Sequence, residues 1–286
     1  LFPYTTLFRS IKSNSTAVKQ RALNIAIEQN DLQAALDIAT HWVAQEPEDV
    51  PALFYLSHIA LKAHEYDSAA ETLDKILNID PNADLEQILA GISPESADDR
   101  DFLIRALRAS KEGRNPSILV LIAGLEAQNG QLHEALDTIN QALKKRPKST
   151  GYILMKANLL TALGNDEETR KWYEKSSKKH RSNLEVRLAE VKYLIKINES
   201  ELALQKLEDI LKKWPKAEEA LFIAGLTSID LEQYEKAEKH LVELRYSAQY
   251  QNEAYYYLAV NAERKQHFET AKAYYRLVDG SLYTVS

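Results

Sequence analysis

A small residue recurs along this chain at a fixed interval, and that interval limits the possible folds more than any other feature. Ala35 and Ala69 lie 34 residues apart, and Ala135, Thr169, Ala203, Ala237 and Ala271 follow one another at the same spacing. Pro47 and Pro81 keep the period, and Pro147 and Pro215 stand two steps apart with Arg181 between them. Gly130 and Gly164 repeat it again. A unit this short cannot bury its apolar face alone, so successive units must stack. The small residue lets the two helices of a hairpin approach closely. Each proline stands past a helix end, where it cannot continue the hydrogen-bond ladder.

Inside a unit the apolar spacing is helical. Leu53, Leu56, Leu73 and Ile76 fall three or four apart on single faces. Tyr66, Leu132, Tyr234 and Phe268 each sit three residues before a small residue, at the start of the second helix. Composition agrees: 45% of residues are hydrophobic, and only 8 Gly and 8 Pro occur, which favours helix.

A sustained 34-residue period of this kind is the pattern of tetratricopeptide (TPR) repeats. It predicts an all-α chain, a right-handed TPR superhelix of antiparallel helical hairpins. Seven regular repeats are expected near 16–49, 50–83, 116–149, 150–183, 184–217, 218–251 and 252–286, with one degenerate unit near 82–115. In that unit Asp98, Asp99 and Asp101 are read as loading a helix N-terminus, where the macrodipole favours anions. They are too local to build an oxygen cage for a metal. Residues 1–10, Leu-Phe-Pro-Tyr-Thr-Thr-Leu-Phe-Arg-Ser, differ in composition from the rest and read as the translation of a sequencing-adapter oligonucleotide. They are taken as non-native, with the repeat domain over 11–286 expected to be truncated at both ends.

Chemistry is conspicuous by what the sequence lacks. There is no Gly-rich phosphate loop, no Gly-x-Ser-x-Gly elbow and no HExxH; after His133-Glu134 the second histidine position holds Asp137. The seven histidines fall at unrelated repeat positions. No catalytic residue, cofactor or metal is expected, and the chain is read as not an enzyme. Without cysteine there are no disulfides and no thiolate sites, which fits cytoplasm and periplasm equally. A net charge of −6 gives no basic field for nucleic acid. No apolar run approaches the roughly 20 residues that span a bilayer.

Function is therefore sought on the groove that TPR helices A line. At the fifth position of helix A stand Phe54, Val120, Leu154, Leu188, Phe222 and Tyr256, after a Gln20 in the first repeat. Either neighbouring helices cover several of these, or they form an apolar trough for an extended peptide or a partner helix. Clamps for chaperone C-termini carry Lys at this position and Asn four residues on. The pairs here, Gln20/Asn24, Phe54/His58, Leu154/Asn158, Leu188/Lys192 and Tyr256/Val260, do not match, so no such carboxylate clamp is expected.

Two further features follow the chain's second half. Lys144-Lys145, Lys178-Lys179 and Lys212-Lys213 repeat at the same period near the ends of helices B. They either complement helix dipoles or form a basic ridge that docks an acidic partner or anionic headgroups. Tyrosine is concentrated at the end: Tyr246, Tyr250, Tyr255, Tyr256, Tyr257, Tyr274, Tyr275 and Tyr283 are eight of the fifteen. Tyr255 and Tyr275 are assigned to core positions, and Tyr256 and Tyr257 to the surface.

Three segments carry a narrower resemblance: the hairpin from Arg21-Ala-Leu through Trp42-Val-Ala to Pro47, the Ile92-Ser-Pro-Glu-Ser…Asp101-Phe-Leu unit, and the end Tyr255-Tyr-Tyr-Leu-Ala…Ala271…Tyr274-Tyr…Val278…Gly280…Tyr283. Together they resemble the proteobacterial outer-membrane TPR lipoproteins that serve as adaptors for C-terminal processing proteases. That resemblance implies a protein-binding adaptor with no active site, located in the periplasm at the outer membrane, and a protease or its substrates as partner. The family's lipid-bearing Cys has no counterpart in this sequence. A cytoplasmic assembly module for a secretion or pilus machine remains open, as does the TPR region of a larger enzyme.

Overall fold

The computed structural model describes residues 15–81, 83, 85, 94 and 96–278. Residues 1–10, the Gly91–Ser93 stretch of the irregular unit, and Gly280 and Tyr283 at the end lie outside the described residues. Among the described residues there are fifteen α-helices, one short 3-10 helix and no strand. The all-α expectation holds.

Contacts divide the chain into two compact units at Asp166/Glu167. The first holds α1 (Thr16–Glu28), α2 (Leu32–Gln45), α3 (Val50–Lys62), α4 (Tyr66–Ile79), α5 (Ala97–Ala109), α6 (Pro116–Gln128), α7 (Leu132–Lys145) and α8 (Thr150–Ala162). In the second lie α9 (Asp166–Lys179), α10 (Leu184–Lys196), α11 (Ser200–Lys213), α12 (Glu218–Asp230), α13 (Tyr234–Val242), α14 (Gln251–Arg264) and α15 (Phe268–Tyr275). From α1 to α8, and again from α10 to α15, each helix packs on the next. Each unit is thus a run of stacked hairpins.

Among the described residues, seven A–B turns are closed the same way. Asn30, His64, Gly130, Gly164, Asn198, Glu232 and Gln266 all have φ between 56° and 75°, the left-handed conformation that ends a helix. The next residue's N–H then returns to the carbonyl five positions back, as in Asp31 to Ala26 at 2.9 Å and Gln233 to Ser228 at 2.8 Å. This satisfies carbonyls that the helix end would otherwise leave open. Helix starts are capped by local side chains: Asp31 accepts from the Ala34 N–H at 3.0 Å and Asn183 from that of Val186 at 3.0 Å. Ser96 caps α5 by accepting from the Asp99 N–H at 3.0 Å. Asp98 and Asp99 lie in that helix's first turn, as the dipole favours.

The periodic small residues do what close packing requires. Ala35, Ala69, Ala135, Thr169, Ala203 and Ala237 are fully buried, and Ala271 nearly so. In several B helices the residues four, seven and eight positions beyond them complete the buried face. In α4 these are Leu73, Ile76 and Leu77, in α7 Ile139, Ala142 and Leu143, and in α11 Leu207, Ile210 and Leu211. At about 25 cal/mol per Å² of apolar area, such side chains supply most of the driving force for stacking. Helix α9 breaks the rule. In the same register it buries Thr169, Tyr173, Ser176 and Ser177.

Candidate functional site

The second unit brings two of the fifth-position residues into one aromatic network. Phe222 on α12 meets Tyr250 at a ring-centroid distance of 5.0 Å and Tyr257 on α14 at 5.7 Å. Tyr257 meets Tyr256 edge to face at 5.2 Å, and Tyr256 meets Tyr275 on α15 at 5.9 Å. Helices α12 and α14 are both first helices of their hairpins and pack on each other, which is why their fifth and sixth positions converge. The edge-on and tilted geometries suit the ring quadrupoles.

None of the five rings is fully buried. One phenol of the network is anchored by a hydrogen bond. Tyr275 donates from its hydroxyl to Glu263 Oε2 at 2.8 Å. Burial and the Glu263 carboxylate push its ionisation up, so it stays neutral. Burial likewise raises the Tyr250 phenol, with Glu219 adding to it. Beside Tyr250 the Lys192 ammonium pairs with Glu219 at 2.6 Å, half exposed on the rim. The face therefore offers apolar ring area, neutral hydroxyls and one ion pair.

The other predicted groove residues fare differently. Val120 and Leu188 are 5% exposed, so neither presents a surface to a ligand, contrary to the trough reading. Leu188 belongs to the apolar core of the second unit. Leu154 is half-buried. Phe54 is half-buried too and belongs to a second aromatic set in the first unit. It stacks with His58 at 6.4 Å and meets Tyr55 edge to face at 6.0 Å, and Tyr55 stacks with Trp42 at 6.0 Å. Tyr255 and Tyr275 are half-buried rather than core; Tyr255 stacks on Tyr274 at 6.4 Å and Tyr275 reaches Glu263.

Sequence register alone missed Tyr55 and Tyr250 as members of these sets. Tyr55 follows a fifth-position residue directly, as Tyr257 does, and Tyr250 precedes α14. The adjacency of aromatic residues was the signal, and a one-residue-per-repeat reading passes over it.

All six periodic lysines are exposed, but several have local work. Lys145 donates to the Arg114 carbonyl at 2.8 Å, and Lys213, at the equivalent position two repeats on, to the Arg181 carbonyl at 3.3 Å. Each ties a helix end to the loop of the preceding hairpin. Lys213 also lies 4.7 Å over the Trp214 ring. Lys178 pairs with Glu174 at 2.5 Å and Lys212 with Asp209 at 2.9 Å along their own helices. Lys144 and Lys179 carry no ion pair among the described residues. No group of metal-ligating side chains occurs among the described residues. No helix there is long and apolar enough to cross a membrane.

The family comparison bears on the first hairpins. Residues 26–92 match the tetratricopeptide repeat model. Over that stretch the helical hairpins match the tetratricopeptide type. No curated protein matches the chain. Among solved structures it is similar to the MamA 41-end fragment from Desulfovibrio magneticus RS-1, at 19% identity and TM-score 0.47 over 56% of this chain and 91% of that one. It is also similar to YrrB, described as a TPR protein with an unusual peptide-binding site, at 17% identity and TM-score 0.46 over 63% and 91%. A tetratricopeptide repeat protein from Parabacteroides merdae ATCC 43184 aligns over 95% of this chain and 91% of its own, at 12% identity and TM-score 0.45.

Proposed function

We propose that this TPR chain is a non-catalytic scaffold that holds another protein on the aromatic face of its second unit. The observation that carries the reading is the network from Tyr250 through Phe222, Tyr257 and Tyr256 to Tyr275. A hairpin stack gains most by covering its rings completely. Five adjacent rings left partly open are surface that a partner would cover. Tyrosine brings large area and a hydroxyl at low entropic cost, which is why it dominates binding hot spots. An extended segment or an amphipathic helix laid across α12 and α14 would bury the rings and meet the Lys192–Glu219 pair at the rim. The exposed lysines at the ends of α9 and α11 would add long-range attraction for an acidic partner, acting mainly on the association rate.

The partner proposed is a C-terminal processing protease or its substrates, with the chain acting in the periplasm as the protease's adaptor. Support for this comes from the sequence resemblance of the first hairpin, the irregular unit and the Tyr255–Tyr283 end to the outer-membrane lipoprotein adaptors. Immobilised chain incubated with periplasmic extract, and separately with a purified C-terminal processing protease, tests it. Retention of the protease by wild type and its loss with Tyr256→Glu supports the adaptor. Failure of the purified protease to bind removes it.

A further inference from the structure

The repeats provide an internal control for one another, and the interface of α9, α10 and α11 departs from the aliphatic pattern of most of them. At the position of Glu190, other first helices carry Leu56, Ile122, Ala224 and Leu258, all buried; α8 carries Lys156, half-buried and bonded to Asn140 at 2.7 Å. Glu190 is 5% exposed. At the position of Tyr173, other second helices carry Ala39, Leu73, Leu107, Ile139, Leu207 and Leu241, all buried, and α15 carries Tyr275, half-buried. A buried carboxylate costs free energy that an aliphatic side chain would not. Departures of this kind from an otherwise consistent pattern concentrate at functional sites.

These residues line a pocket. It has a volume of about 140 Å³ and lies among α9, α10 and α11, with Tyr173, Glu174, Glu190, Tyr193, Leu202 and Lys206 in its wall. A space of this size holds a guest of about six heavy atoms. Tyr173 and Tyr193 lie against each other at 5.3 Å. Burial raises the Tyr173 ionisation, and the neighbouring Tyr193 and Glu190 add to the effect, so the phenol is neutral. Lys206 reaches in from α11 and pairs with Glu190 at 2.7 Å, with 28% of its side chain exposed. At the mouth, Arg170 is engaged by Glu199 at 3.2 Å.

We propose that this pocket is a binding site for an organic cation of the lysine or arginine side-chain class, supplied by a bound protein segment, and that Lys206 is its internal plug. The proposal rests on the protein-binding reading above only for the source of the guest. Lys206 has a flexible stem and one foot in solvent, so it can swing out without moving the backbone. What it leaves behind is a buried carboxylate, two phenol rings and two leucines, while the other charged groups of the wall, Glu174 and Arg170, are already paired with Lys178 and Glu199. Charge goes to Glu190, the aliphatic stem to Leu202 and Leu194, and the rings add cation–π attraction.

The test uses n-butylammonium and methylguanidinium chloride as probes, against sodium chloride at matched ionic strength. Ring spectra of tyrosine-labelled protein report binding, with Tyr173→Phe and Tyr193→Phe assigning the signals. The expected result is saturable shifts at both rings in wild type. Apparent affinity should fall at least about tenfold in Glu190→Gln and rise at least about tenfold in Lys206→Met, where the competitor is gone. Shifts that grow linearly with probe, or that are unchanged in Glu190→Gln, overturn the site. Equal affinity in Lys206→Met overturns the plug. Glu190→Gln keeps the side-chain shape and decides the question alone should Lys206→Met fail to fold. Because the probes need no partner protein, a negative result here leaves the aromatic face to be judged separately.

Discussion

Leu241 fills the space that a side chain on Gly225 would need. A Cβ at Gly225 would stand 2.6 Å from both Cγ and Cδ2 of Leu241, well inside contact distance. Gly225 thus plays on α12 the part that the periodic alanines play on the second helices. Gly225→Ala is expected to cost about 1–3 kcal/mol by overpacking. The loss should be local, since each hairpin contacts only its neighbours. Hydrogen exchange checks this: faster exchange in α12 and α13, with α1–α4 unchanged, is the predicted pattern.

The left-handed turn residues give a second prediction. Glu232 holds φ at 58° and Gln266 at 62°, where a side chain costs about 1–2 kcal/mol relative to an unstrained backbone and glycine costs least. Glu232→Gly should raise the urea midpoint, and Gly130→Ala, at φ 75°, should lower it.

Helix α9 gives the third. Ser177 is buried with no partner for its hydroxyl, where the equivalent residues Leu143 and Leu211 are aliphatic. Replacing an unsatisfied buried hydroxyl by a methyl removes a desolvation penalty of about 1–3 kcal/mol. Ser177→Ala is expected to be more heat-stable than wild type in a calorimetric scan.

Much of this architecture was legible in the sequence, because one local rule repeats. Ala203 and Pro215 mark the packing point and end of a second helix wherever they recur, and apolar spacing of three and four fixes the period as helical. The candidate site was less legible. The fifth-position rule named Phe222 and Tyr256, and the structure joins both rings through Tyr257. The rule could not tell them from Val120 and Leu188, which are buried. Coverage is a tertiary property, and residues of equal hydropathy differ in it. The Lys145 and Lys213 clasps were equally hidden, since a carbonyl acceptor leaves no trace in side-chain pattern.

Acid should weaken the fold before any carboxylate titrates. Burial, with Lys62 adding to it, holds His58 below its ordinary 6.5, and burial with Lys239 does the same for His240. Below 6.5 the unfolded chain then binds more protons at these sites than the folded chain. Stability is therefore complete above that pH and lost as pH falls toward the folded values. The melting temperature should be lower at about pH 5 than at about pH 7.5, and the double variant His58→Gln, His240→Gln should flatten that difference.

The account's central claim is that the aromatic face of the second unit binds protein. Calorimetric titration of a purified C-terminal processing protease into the chain, with wild type, Phe222→Glu and Tyr256→Glu compared, tests it most directly. A charge at either position would have to be desolvated beneath an apolar partner. The prediction is saturable binding by wild type, weakened at least about tenfold in each variant, or about 1.4 kcal/mol, with circular dichroism unchanged. Wild-type binding that both variants retain in full, or no binding by wild type at all, would contradict it.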